Sequence, residues 1–178
     1  MAIIRKQNKK RDQVVLSKED NTAKIMELAK RLGLSTVPFE IDEFIRHLGV
    51  RIRREAMNDD VSGYLKFVDG SWVIGVNNLH HPRRQRFTLA HELAHYALHK
   101  NSSGEFVDKV LFRSLNTESP YEREANDFAA KLLMPEDEFR QFVQNVSKVI
   151  EDIAEHFDVS ALAVKFRAKN LGFAGHGL

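Results

Sequence analysis

Apolar residues recur along the chain in distinct rhythms, and each change of rhythm marks an element. Ile25, Leu28, Ala29 and Leu32 fall at helical spacing, with Ser17 three residues before Asp20 as a start signal and Gly33 as the stop. Val37-Pro38-Phe39 reads as a connector, and residues 41–48 as a second helix closed by Gly49. The period then shortens. Val50, Ile52 and their neighbours read as one strand and residues 61–68 as another. Asp69-Gly70 is a hairpin turn that returns through a third strand at 71–76. So short a connection makes the last two strands antiparallel. The 72–76 strand is read as a sheet edge open to strand addition by a peptide.

The helical rhythm resumes at Pro82, a residue suited to a first helical turn, and runs to about Lys100, where Asn101-Ser102-Ser103-Gly104 ends it. Phe87, Ala90, Ala94 and Leu98 lie on one side of this long helix, and Leu89, Leu93 and Tyr96 on the other. A helix apolar on both sides is a buried one. Residues 106–115 read as a short strand or an active-site loop. Residues 121–134 form an amphipathic helix stopped by Pro135, and further helices fit 136–144, 147–157 and 160–171. The expected fold class is α+β, mostly helical with a small antiparallel sheet. The expected division is a flexible basic arm at 1–16 (Arg5, Lys6, Lys9, Lys10, Arg11) and one domain at 17–178 that ends in a helical hairpin.

Composition removes several classes. The 178 residues are 43% hydrophobic, close to the globular norm, and no stretch approaches the roughly 20 apolar residues of a membrane-spanning helix. A formal charge of +2 is too small to argue for nucleic acid as a main partner. No apolar segment follows the basic N-terminus, so it does not read as a secretory signal, and a cytoplasmic location is expected. With no cysteine, a disulfide scaffold, an iron–sulfur cluster and a thiolate nucleophile are excluded, and any metal is held by His and carboxylate.

Those donors are present in a pattern. His91, Glu92 and His95 form H-E-x-x-H on the long helix. Positions i and i+4 stack on one helix face, so two imidazoles can reach one Zn²⁺ at about 2.0–2.1 Å each. Glu92 is displaced around the helix, near the metal yet free to hold a water and take its proton. A solvated pair of histidines is the bland alternative. It fits poorly, because Leu89, Ala90, Leu93, Ala94 and Leu98 surround the three residues and buried polar groups need partners.

A catalytic zinc takes three protein ligands, and the helix that follows offers carboxylates. At about 100° per residue, and with Phe128 as reference, Leu132, Ala125, Ala129 and Leu133 fall between about 40° and 140°. Glu122 lies within that arc at about 120°, Asn126 beside it at about 160°, and Glu124 on the polar side at about 320°. This phase selects Glu122 as the third ligand and Asn126 as a hydrogen-bonding neighbour of a ligand, a histidine being the expected one. His99, one turn beyond His95, is a rival ligand, but it lacks the glycine and spacing of the longer three-histidine motif and reads as a half-exposed histidine. His80, His81 and His156 have no partner pattern. Tyr64, Tyr96, Tyr121 and His99 are candidates for stabilising an oxyanion.

Residues 84–95, Arg-Gln-Arg-Phe-Thr-Leu-Ala-His-Glu-Leu-Ala-His, resemble the signature of the ImmA/IrrE family of metallopeptidases. Residues 122–133, closing in Met134-Pro135, are similar to that family's second block, and Ser62-Gly63-Tyr64 and Trp72-Val73-Ile74 also resemble it. The resemblance spans roughly residues 25–170. It implies a zincin-like metallopeptidase domain, with His91, His95 and Glu122 as zinc ligands and Glu92 as general base. It also implies a protein substrate, a helix-turn-helix repressor being the type that some family members cleave. Ala94 departs from the glycine common in the family; both are small. No appended sensor or DNA-binding domain is recognisable.

Two other classes compete with the peptidase. Residues 150–172 resemble a helix-turn-helix, with Ser160 capping a second helix that bears Lys165, Arg167 and Lys169. The alternative for this segment is a hairpin that packs on the core through Ile153, Phe157, Leu162 and Phe166. The remaining class is a zinc-bearing sensor or scaffold without turnover, against which an intact Glu92 argues.

Overall fold

A computed structural model describes residues 21–100, 105–109 and 119–173. The basic arm at 1–16, the Ser17 start signal, the 101–104 stop and residues 110–115 of the strand-or-loop segment lie outside the described residues. The described residues begin with α1 (Asn21–Arg31) and α2 (Ile41–His47), which end before Gly33 and Gly49 as the sequence indicated. Three strands follow, β1 (Arg51–Glu55), β2 (Val61–Val68) and β3 (Ser71–Asn77). The β2–β3 hairpin closes at Asp69-Gly70, whose φ angles of 50° and 74° are the two left-handed positions that a tight hairpin turn needs.

The described strands form a sheet in the order β1-β3-β2-β4, where β4 is Glu105–Lys109. β3 pairs antiparallel with β2 (Leu65 opposite Ile74) and parallel with β1 (Ile52 opposite Ile74). Two expectations are thereby corrected. The sheet is mixed, not wholly antiparallel, and β3 is paired along both edges, so strand addition on the 72–76 segment is ruled out. The physical reason is that β1 pairs with β3 past the intervening β2, a non-local pairing that no local period encodes. Part of the 106–115 segment is β4, which pairs antiparallel with β2 (Leu65 opposite Phe106).

α3 (Pro82–Ala94) crosses the sheet and contacts β2, β3, α2 and α4 (Pro120–Leu133). Every residue from Phe87 to Ala94 is buried, as a helix apolar on both sides requires. His81 caps its N-terminus, its Nδ1 accepting from the Arg83 amide at 3.2 Å, with Pro82 in the first turn. Ser119 caps α4 in the same way, its Oγ accepting from the Glu122 amide at 3.3 Å. The long helix is not uniform: after Ala94 it continues as a wider π-helical turn, His95–His99.

α5 (Glu136–Asn145), α6 (Ile150–His156) and α7 (Ala161–Asn170) complete the described chain. The α6–α7 hairpin packs through Ile153, Phe157, Ala163, Val164 and Ala168, with Phe166 half-buried. Leu162, expected in that contact, is exposed. Arg167 points inward, and its Nε donates to the Met134 carbonyl at 2.9 Å. The turn before α7 is clamped to α3, since Asp158 pairs with Arg83 (3.3 Å) and Arg86 (3.0 Å). Arg86 also donates to the Phe39 carbonyl at 2.9 Å. No helix among the described residues is long and apolar enough to cross a membrane.

Candidate metal centre

α3 and α4 bring three donors to one point. His91 Nε2 lies 3.0 Å from His95 Nε2 and 3.1 Å from Glu122 Oε2, and His95 Nε2 lies 3.4 Å from Glu122 Oε1. His91 and His95 are buried to 0% and 1% exposure, whereas the Glu122 side chain keeps 31%, so the carboxylate forms the outer rim. One ligand atom from each residue can be chosen so that all lie within 4.8 Å of one another. The residues fit a divalent cation on their chemistry. Two imidazole nitrogens aimed at each other and at a carboxylate make a His₂Glu donor set, the type found at catalytic zinc. Among the described residues, His80, His81, His99 and His156 do not join this group.

Electrostatics prepares the same state. Burial lowers the His95 pKa, and neighbouring His91 adds to this against the hydrogen bond to Glu122, so neutral imidazole is favoured. Burial pushes the Glu122 carboxyl up, but hydrogen bonds and charge from His91 and His95, in the protonated forms they take in acid, outweigh it and hold the group well below the ordinary carboxylate range. A neutral histidine and an ionised glutamate are the forms that bind metal.

Further contacts fix the ring planes. His91 Nδ1–H donates to Asn126 Oδ1 at 3.0 Å, from one turn beyond Glu122 on the same face of α4. Ala125, Asn126, Phe128, Ala129, Leu132 and Leu133 are buried, as the helical phase required. Asp127 and Lys131 pair on the exposed side at 2.6 Å. Glu92 sits beside His91 with its carboxylate against β2: a Cβ built on Gly63 falls 3.2 Å from Glu92 Oε1 and 2.5 Å from Thr88 Cγ2. Only a residue without a side chain lets the strand come so close to this turn of α3.

Two readings of individual residues are corrected. His99 is 1% exposed rather than half-exposed, and Glu124 is not merely solvated: His99 Nδ1 lies 3.0 Å from His95 Nδ1, and His99 Nε2 lies 3.0 Å from Glu124 Oε2. The reason is tertiary: α4 packs against the turn that carries His99 and brings Glu124 to it, a contact that hydrophobic periodicity along one helix does not reveal. With both ring nitrogens engaged, His99 leaves the group of oxyanion candidates. Tyr64 leaves it too, because its hydroxyl donates to Glu55 Oε1 at 2.7 Å on the sheet face opposite Gly63. Tyr96 packs edge-on against Trp72 with Lys100 Nζ over its ring. Tyr121 remains, next to Glu122, half-exposed and 4.8 Å from the His99 ring.

The IrrE N-terminal-like domain of the Peptidase_M78 family matches residues 45–169. The chain belongs to this family. As a Peptidase_M78 member it carries an α+β domain of the ImmA/IrrE type, and the family's metallopeptidase character agrees with the donor set on α3 and α4. It is 27% identical over 132 residues to "Uncharacterized immunity region protein 2" of Bacillus phage phi105, a match covering 74% of this chain and 78% of that protein. It is 32% identical over 105 residues to "Metallopeptidase ImmA" of Bacillus subtilis (strain 168), covering 57% of each. The fold is similar to that of a Mycobacterium tuberculosis transcriptional regulator, with a TM-score of 0.57 and 19% identity over 85% of this chain and 47% of that one. The chain thus spans little more than half of the metallopeptidase relative and under half of the regulator.

Proposed function

We propose that the protein is a zinc-dependent metalloendopeptidase of the H-E-x-x-H type that hydrolyses a peptide bond in a regulatory protein, a helix-turn-helix repressor in the cytoplasm. The observation that carries this reading is the convergence of His91 Nε2, His95 Nε2 and the Glu122 carboxylate beside the buried Glu92. His91, His95 and Glu122 hold the metal, and Glu92 is the general base. When bound, the cation supplies Lewis-acid chemistry: it polarises the scissile carbonyl and acidifies a water. Glu92 takes the proton of the attacking water and returns it to the leaving amine nitrogen, while the walls of α3 and β2 keep bulk solvent away from the exchange. Asn126 holds His91 in the tautomer that presents Nε2 inward. Tyr121, exposed and next to Glu122 in sequence, is the tyrosine left for the oxyanion role among those considered.

A regulatory substrate is supported by the kinship to the phage immunity-region protein and to the metallopeptidase ImmA. The test combines purified protein, stoichiometric zinc and candidate helix-turn-helix repressors, with fragments read by mass spectrometry. A discrete cut that disappears with chelator and with Glu92→Gln supports the reading. Zinc uptake without any cleavage favours the zinc-bearing scaffold, and failure to take up metal overturns both.

A further inference from the structure

The metal-site reading uses His91, His95, Glu122, Glu92 and Asn126. It leaves a buried histidine and a carboxylate in a line behind His95 unexplained. Resting on that reading, we infer that His99 and Glu124 are a positioning pair, a hydrogen-bonded relay that locks His95 with its Nε2 lone pair facing the metal site.

The proton positions follow from geometry and elementary acceptor rules. His95 Nε2 faces His91 Nε2 (3.0 Å) and Glu122 Oε1 (3.4 Å), so a ligating His95 has its lone pair there and its proton on Nδ1. That Nδ1–H points at His99 Nδ1, 3.0 Å away, which must then be the acceptor nitrogen of a neutral ring. The His99 proton therefore sits on Nε2, and it donates to Glu124 Oε2 at 3.0 Å. An ionised carboxylate only accepts. Glu124 thus fixes the direction of the His99–Glu124 bond, and that bond fixes the one behind it. The reverse order would turn an N–H of His95 inward against His91 and abolish the site.

Packing holds the relay. His99 is 1% exposed, and the Tyr121 ring stands edge-on to it, with centroids 4.8 Å apart at 67°. The His95 and His99 centroids lie 5.1 Å apart within the π-helical turn, and a single wide turn of this kind is a recurrent device at functional sites. The two ligating histidines are thus secured differently: His91 by an amide on the buried face of α4, His95 by a histidine that is held in turn by a carboxylate on the polar face.

The test measures zinc affinity by chelator competition in the full chain and in Glu124→Ala, Glu124→Gln, His99→Phe and Asp127→Ala. Glu124 and Asp127 lie on the exposed side of α4, and melting of the metal-free variants checks that the fold is intact. Loss of such a partner costs roughly 10–100-fold in metal affinity. The expectation is about 10-fold or more for His99→Phe and Glu124→Ala, recovery toward the parent in Glu124→Gln, whose amide oxygen still accepts, and no change in Asp127→Ala. In the zinc-loaded protein, the His95 Nδ1 proton should be protected from exchange in the parent and exchange faster in Glu124→Ala. Parent-like affinity and unchanged exchange of that proton in Glu124→Ala and His99→Phe overturn the relay alone. A parent that binds no zinc overturns the underlying metal reading as well.

Discussion

Glu122 Oε2 lies 3.1 Å from His91 Nε2, whereas Glu124, two residues further along α4, lies 3.0 Å from His99 Nε2. The first contact makes Glu122 part of the donor set and the second places Glu124 behind it. Glu122→Ala should therefore lose most of its zinc, and Glu124→Ala should still load to about one equivalent at excess metal while holding it less tightly. Metal analysis of the two purified variants decides between them. Zinc retained by Glu122→Ala at the parent level would contradict the assignment.

Glu92 lies on α3 between the two histidines in sequence but is not one of the three convergent donors. Glu92→Gln preserves its size and removes its basicity, so the variant should fold, bind zinc as the parent does, and lose roughly 10²–10⁴-fold in kcat with little change in KM. Matched rates for parent and variant on the same repressor substrate would exclude Glu92 as the base.

The shifts at His95 and Glu122 also make the metal-free protein sensitive to acid. Burial lowers the His95 pKa from its ordinary value of about 6.5, so the unfolded chain binds more protons than the folded one below that pH. Contacts with His91 and His95 lower the Glu122 pKa from about 4.5, so the stability it contributes is present above that pH and lost as pH falls through the folded value. Both terms have the same sign. The Tm of chelator-treated protein should fall on acidification from pH 7, first below about 6.5 and more steeply below about 4.5. A Tm that is flat or rises on going from pH 7 to 5 would show that His95 is not held as described, and the absence of a further fall below about 4.5 would show the same for Glu122.

The parts of the fold that were legible in the sequence are those fixed over short distances. Asp69-Gly70 specified its turn, and the phase of Phe128, Ala129, Leu132 and Leu133 turned Glu122 and Asn126 inward, where they are found. What was not legible depends on tertiary choice. The parallel pairing of β1 with β3 joins segments that have the whole of β2 between them in sequence. His99 and Glu124 look like ordinary surface residues in the chain, and their pairing is a contact between α4 and the turn after Ala94 that no local pattern encodes. Arg167 reads as a free cation in the chain, yet a backbone carbonyl at the end of α4 takes it inside.

The clamp between α3 and the α6–α7 turn gives a structural control away from the metal site. Asp158 sits at a left-handed φ of 51° and receives Arg83 and Arg86, of which Arg86 is the more buried. Asp158→Asn tolerates the same backbone and removes the charge. The partly exposed pair is worth about 1 kcal/mol, so Tm should fall by roughly 2–4 °C, with zinc content unchanged. A simultaneous loss of zinc would indicate that the hairpin supports the metal site directly.

The helix-turn-helix resemblance of residues 150–172 makes a prediction about nucleic acid that the burial pattern turns negative. A recognition helix offers one face of cations and polar side chains to base edges. In α7 that face is depleted, because Arg167 is 3% exposed and donates to Met134 O, while Ala163, Val164 and Ala168 pack inward. Lys165 and Lys169 remain exposed, but two lysines neutralise phosphates without reading sequence. Freeing Arg167 would leave the Met134 carbonyl without its partner and open the α4–α7 contact, a cost that base contacts by a single arginine do not offset. Titration against duplex DNA at physiological salt should therefore show only weak binding that falls steeply with added salt and does not depend on sequence. Lys165→Ala and Lys169→Ala should each lower the salt slope by about 1 without changing discrimination between duplexes. A nanomolar, sequence-selective complex that survives Lys165→Ala and Lys169→Ala would mean that α7 leaves the core to bind DNA, and would revive the DNA-binding class.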